Sequence, residues 1–280
     1  MAGRWKVRLL ALGSTAVAFA LLPTVIYAIF VSPTAVFMDE RNPSAQITLG
    51  NSGETPEEAQ IDLQFGFPDT DSAGTPFVRL MEDPPPQFPS AAAWIRPFPR
   101  RVRLEPGDRQ VVRLLAQPPA DLPDGEYWSR LIVTARGASV PVASSDTAVR
   151  AGVSLEIRLV TSVTFRKGAV STGVSVSDFT AEAAGDSLVT WARFTRQGNA
   201  AYLGTATFDV LDQGGLTVRS WPTVMAVYYP IHRRFLFPLA SLAPGDYRVR
   251  LTLTSARSDL MPGQALPAAT VADSVVLTVR

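Results

Sequence analysis

From residue 29 onward the chain sets apolar residues at alternate positions in short runs. Each run is closed by a cluster rich in Pro, Gly or Asp, and no apolar stripe at helical spacing follows the first thirty residues. A period of two is what a strand buried on one face requires, and Pro at this frequency keeps such runs from winding into helices. The design is clearest in "LPDGEYWSRLIV" (122–133). Pro and Gly fix a tight turn, Asp supplies local hydrogen bonding, and an alternating strand led by Tyr127 follows. A looser copy, "LAPGDYRVRLTL" (242–253), repeats it around Tyr247. Each reads as the lead-in to a late strand of a β-sandwich, with the tyrosine ring largely buried.

The runs predict strands over 29–38, 45–49, 59–67, 101–104, 110–116, 127–135 and 152–165. A second set covers 174–179, 187–195, 204–211, 216–220, 233–238, 247–255 and 274–279. Short strands at this spacing predict an all-β chain of two immunoglobulin-like sandwiches in tandem. The expected divisions are a leader over 1–28, a first sandwich over 29–168 and a second over 169–280. The stretch from Thr70 to Ser90 contains "EDPPPQFP" and reads as a loop, because Pro cannot donate to a ladder.

The leader is basic at its start ("MAGRWKVR") and then uncharged from Leu9 to Val31. At about 20 residues per span this run is long enough to cross a bilayer, so it reads as a signal peptide or an uncleaved anchor. Ala18-Phe19-Ala20 fits small-x-small cleavage, and cleavage after Ala28 would leave "IFVSPTAVF" at the mature start. Positive charge before the run and none after it orient the remainder away from the cytoplasm. The expected location is therefore the periplasm, with or without an inner-membrane anchor.

Formal net charge is +1. With Arg4, Lys6 and Arg8 of the leader set aside, the balance turns slightly acidic, and nothing in it attracts nucleic acid. The chain has no cysteine, so thiolate chemistry and Cys-rich metal sites are excluded. His232 is the sole histidine and has no nucleophile frame beside it. Glu57-Glu58 and Glu82-Asp83 fall in expected loops, where solvated charge explains them. Gly214-Gly215 lacks the helix and Lys-Ser/Thr of a phosphate loop. No enzyme activity, cofactor or metal is expected.

Four stretches in order, "VSPTAVFMDERNPSAQITLGNSG", "WIRPFPRRVRLEPGDRQVVRL", "LPDGEYWSRLIV" and "VSLEIRLVTSVTFRKG", resemble the first domain of the periplasmic pilus-assembly (fimbrial) chaperones. Over 169–280 the resemblance rests on the sandwich pattern and "RQGNAAYLG". It implies two immunoglobulin-like domains in an L shape. It also implies a partner, an exported pilin-like subunit that lacks its last strand, and transfer to an outer-membrane usher. In that family the chaperone lends the last strand of its first domain, whose alternate apolar side chains fill the subunit's groove.

Here the matching strand is "GVSLEIRLVTSVTF", which places Val153, Leu155, Ile157 and Leu159 at the partner-binding positions. Two destinations are open for these side chains: a partner's groove, or the sandwich's own core. The family also anchors the subunit's terminal carboxylate with an Arg early in the first strand and a Lys late in the lent one. Those positions are Ala35 and Ser162 in this chain, and neither side chain offers the charge-assisted bonds of a cation. Arg166 and Lys167 lie close by in sequence and could substitute. Two functions follow. One is a chaperone-like protein that lends an edge strand, and the other is a membrane-anchored interaction module with no client-folding role.

Overall fold

The computed structural model describes residues 29–137, 140–141, 152–153, 156–239 and 242–280, with backbone alone at 140–141 and 152–153. Among the described residues there is no helix. The first part of the chain forms β1 (Ile29–Ser32), β2 (Ala35–Asp39), β3 (Ser44–Asn51), β4 (Glu57–Thr70), β5 (Pro76–Met81) and β6 (Ile95–Phe98). It continues through β7 (Arg101–Leu104), β8 (Arg109–Ala116), β9 (Gly125–Gly137), β10 (Val140–Pro141), β11 (Gly152–Val153) and β12 (Glu156–Lys167). The second part forms β13 (Thr172–Ala184), β14 (Ser187–Gly198), β15 (Tyr202–Leu211), β16 (Thr217–Val227), β17 (Ile231–Pro238), β18 (Gly245–Thr254) and β19 (Val271–Val279).

The first sandwich faces a sheet in the order β1-β3-β8-β6 against one in the order β2-β12-β9-β4-β5, with β7 also on β4. Alternation decides which side chains meet between them. In β8, Val112, Leu114 and Ala116 point in while Val111, Arg113 and Leu115 point out. Ile47, Leu49, Ile61, Leu131, Val133, Val163 and Phe165 complete the core from both sheets. The second sandwich faces β13-β14-β17 against β16-β15-β18-β19. Its core is aromatic, with Phe208 centred 4.6 Å from Phe235 and 5.0 Å from Phe237.

The two tyrosine turns are one device used twice. Tyr127 Oη donates to Pro123 O at 2.8 Å, and Tyr247 Oη donates to Ala243 O at 3.0 Å. Each hydroxyl thus reaches back four residues and closes the corner that starts a late strand, as in immunoglobulin-like domains. Both rings are half-buried rather than largely buried, because the hydroxyl must stay at the corner's rim while the ring packs on the core.

Three expectations are corrected. The run 29–38 is two strands, since Pro33 has no N–H for a ladder and the chain crosses there from one sheet to the other. Glu57-Glu58, read as a loop pair, instead opens β4 with Glu57 buried; of the run 152–165, residues 152–153 and 156–165 are strand and 154–155 lie outside the described residues. The stretch read as a loop from Thr70 contains β5, an edge strand paired with Phe65–Thr70 of β4. Being one-sided and largely exposed, β5 carries no inward alternation for sequence to reveal.

The two sandwiches meet through a cluster of Phe65, Phe67, Trp128, Ala201, Leu203 and Tyr228. Trp128 packs edge-on against Tyr228 at 4.6 Å, and Phe67 lies 4.6 Å from Tyr229. At the tip of the β4–β5 hairpin, Gly74 (φ 75°) accepts from Arg234 N–H at 3.1 Å. A Cβ there would lie 2.5 Å from the Trp191 ring, so only glycine fits.

Candidate functional site

β12 pairs with β9 along its whole length, from Glu156 opposite Arg136 to Lys167 opposite Gly125. On its other side β2 covers only Ser162 to Arg166. Among the described strands, nothing pairs with that side from Glu156 to Thr161. Ser162 N–H points toward β2, where it meets Thr34 O at 3.3 Å. In an antiparallel ladder the N–H and C=O of one residue share a side and alternate along the strand. Arg158 and Val160 therefore present their backbone groups to the open edge. A bare edge of this kind is a template for another strand.

Side chains on β12 follow the same alternation. Val163 and Phe165 are fully buried in the sandwich core, and Leu159 is half-buried against it. Ile157 is half-buried, and Val160, on the opposite face, is 41% exposed. Over this stretch the alternating apolar face continues the chain's own core. Val153 lies in β11, where its backbone pairs with Val140, and Leu155 falls outside the described residues.

Ala35 and Ser162 are direct partners across β2 and β12. The row continues to Arg130 on β9 and Gln64 on β4. Ala35, Ser162 and Arg130 line a cavity of about 210 Å³ together with Leu203, Tyr228 and Arg257 of the second sandwich. The two cations there differ in state. Arg257 is paired with Asp259 through bonds of 2.7 and 2.6 Å and also donates to Met225 O, and this pairing holds the Asp259 carboxyl below its usual range. Arg130 is only 7% exposed, donates its Nε–H to Gly66 O at 3.1 Å, and holds its guanidinium 5.3 Å from the Tyr228 ring centre. Among the described residues it has no carboxylate partner.

Arg166 and Lys167 are both engaged inside the protein. Arg166 Nε–H donates to Glu126 Oε2 at 2.9 Å, its two Nη groups donate to Gly263 O and Gln264 O, and its guanidinium lies over Phe37 at 5.0 Å. The other Glu126 oxygen accepts from Trp128 Nε1–H at 2.8 Å and from Ala201 N–H at 3.1 Å. This carboxylate therefore ties the first sandwich to the second. Lys167 donates to Ala120 O at 3.3 Å and lies 4.0 Å from Glu40.

Sequence reasoning singled out neither Glu126 nor Arg130. Both lie inside "GEYWSRLIV", and an acid and a base in a strand rich in buried side chains were the available signal. Of the residues weighed for chemistry, His232 lies tilted against Trp191 with ring centres 4.9 Å apart. Glu57 is buried, and burial pushes its carboxyl above the usual range. Among the described residues no three His, Asp or Glu side chains converge as a metal ion would need.

No family model and no curated protein matches the chain. Among solved structures it is similar to the YadV chaperone, with 14% identity, 90% of this chain and 100% of that one covered, and a TM-score of 0.45. It is also similar to the CsuC–CsuE chaperone–tip adhesion subunit pre-assembly complex of Acinetobacter baumannii (14% identity, 75% and 90% covered, TM-score 0.43). A third is the Pseudomonas aeruginosa CupB2 chaperone (15% identity, 88% and 98% covered, TM-score 0.38).

Proposed function

We propose that the protein is a periplasmic chaperone-like protein that takes an exported, pilin-like subunit as an added strand along β12. The observation that carries this reading is the open edge from Glu156 to Thr161, which runs directly into the paired stretch beginning at Ser162. Main-chain hydrogen bonds to Arg158 and Val160 would hold the partner strand. Ile157, half-buried where the strand leaves the core, would supply apolar contact, and Val153 and Leu155 precede it in the sequence. The cleft at the end of that edge lacks the cation pair that the family resemblance implies at positions 35 and 162. Arg130, one strand away in the same row and without a carboxylate of its own, is the cation that would receive the subunit's terminal carboxylate.

Backbone substitution tests this reading without disturbing the core. Val160→Pro removes one edge N–H while leaving the ladder to β9 intact, a change that edge strands accept. Co-expression with an exported pilin-like subunit should yield a co-purifying complex with the natural chain and none with Val160→Pro, both chains melting alike. An undiminished complex with the variant would overturn strand addition at this edge.

A second reading, an anchored interaction module, is favoured by the inward packing of Leu159 and by the uncharged run that leads straight into β1. The two separate on the same experiment, because a module of that kind has no use for the Val160 edge.

A further inference from the structure

The outer face of the β1-β3-β8-β6 sheet has a composition unlike the rest of the chain. Its register places Phe30 beside Gly50 and Arg109, Phe98 beside Arg113, and Leu115 beside Arg96. Phe98 is 76% exposed, Leu115 45%, Val111 42% and Phe30 36%. The other outward positions on these four strands are Ser, Gln, Thr and Gly, and none is Asp or Glu. In a chain of 26 basic and 25 acidic residues, a whole sheet face that carries three arginines and no acid is a single-sign field on an apolar ground. None of the three arginines is ion-paired among the described residues. Arg109 instead lies 5.8 Å over the Phe30 ring, and Arg96 donates to its neighbour's carbonyl, Ile95 O. The nearest acids in sequence, Glu105 and Asp108, belong to the turn before β8. Glu105 is bonded to Arg103, and Asp108 accepts the Glu105 N–H.

The sequence brings this face to a bilayer. Leu9 to Ala28 is uncharged and, at about 20 residues, matches the hydrocarbon core in length. Ile29 already belongs to β1. With no spacer between the run and the strand, a retained membrane segment would hold the edge of this sheet at the lipid surface.

We infer that the outer face of the β1-β3-β8-β6 sheet rests on an anionic membrane surface. Its arginines lie against lipid phosphates, and Phe98, Leu115 and Val111 lie at the headgroup boundary. The inference rests on the leader run acting as a membrane segment and is independent of strand addition. It leaves the β12 edge free, because that edge belongs to the opposite sheet.

The chain has no cysteine, so one introduced thiol reports one position. The full chain, carrying Gln46→Cys labelled with an environment-sensitive dye, is reconstituted into phosphatidylcholine vesicles containing phosphatidylglycerol and a headgroup-level quencher. Gln46 lies beside Arg113 on the face, and Val276→Cys, at a site 64% exposed on the second sandwich, is the control. The expected result is strong quenching at position 46 and little at 276. Quenching at 46 should fall when Arg96→Glu and Arg113→Glu are combined, and again in 1 M salt, while the protein still floats with the vesicles. Equal quenching at the two positions, quenching at 46 indifferent to both charge reversal and salt, or a chain that does not float at all would each overturn it. Strand addition would survive all three outcomes, being tested separately by the variants at Val160.

Discussion

Glu126 and Arg166 form an ion pair at 2.9 Å in which the acid's side chain is 1% exposed and the base's 14%. Each also bonds to the second sandwich, Glu126 to Ala201 N–H and Arg166 to Gly263 O and Gln264 O. Removing one member of a buried pair strands the other's charge. Arg166→Ala should therefore lower stability by about 3–5 kcal/mol. Glu126→Gln with Arg166→Met should recover much of that loss, because the uncompensated charge is gone. Denaturant melts of the single and double variants check both statements; an additive double variant would show that the pair is not coupled.

The paired corners predict matching behaviour in the two sandwiches. Tyr127→Phe and Tyr247→Phe each keep the half-buried ring and lose one hydrogen bond to a carbonyl four residues back. Each should cost about 1 kcal/mol. Tyr127→Ala and Tyr247→Ala remove the ring as well and should cost about 3 kcal/mol. Thermal melts that leave either tyrosine variant unchanged would separate the two corners and deny their equivalence.

These corners were legible in sequence because turn chemistry and alternation sit on adjacent residues. β8 was legible by its alternation alone, having one buried face and one exposed face. Strand β5 was not, because an exposed edge has no buried face and leaves no pattern. The break at Pro33 was missed because each side of it alternates on its own: Ile29 and Val31 point into the core from one sheet and Val36 and Met38 from the other, with the phase of the alternation shifted across the proline. Ala35 and Ser162 were placed by resemblance, and their direct pairing is a matter of register that sequence does not state. Arg130 and Glu126 were hidden for a related reason. A strand buried on one face by its own sandwich and on the other by its neighbour shows which positions are buried, but not which polar group a neighbouring domain will meet.

Glu57 supplies a pH-dependent prediction. It is 6% exposed, its Oε2 has no hydrogen-bond partner among the described residues, and burial raises its carboxyl above the ordinary value of 4.5. The folded state therefore holds this proton more tightly than the unfolded one. Stability linked to the group is present below 4.5 and is lost as pH rises through the raised folded value. Glu57→Gln should stabilise the protein by about 1 kcal/mol at neutral pH, with the gain vanishing toward pH 4. Melts across that range would contradict this if the variant were weaker at neutral pH or if its advantage grew on acidification.

The last prediction separates side chain from backbone on β12. Leu159 packs against the first sandwich's core, whereas Val160 is 41% exposed on the other face. A carboxylate at position 159 must enter that core without a partner, so Leu159→Asp should cost several kcal/mol. Val160→Asp leaves its charge in water and should change stability by less than about 0.5 kcal/mol. Strand addition as proposed would use the backbone of Val160, so Val160→Asp should still capture a subunit that Val160→Pro loses. Melts and co-purification of these three variants read the two roles separately. A Val160→Asp chain that folds yet releases the subunit would move recognition from the main chain to the outer face of the strand.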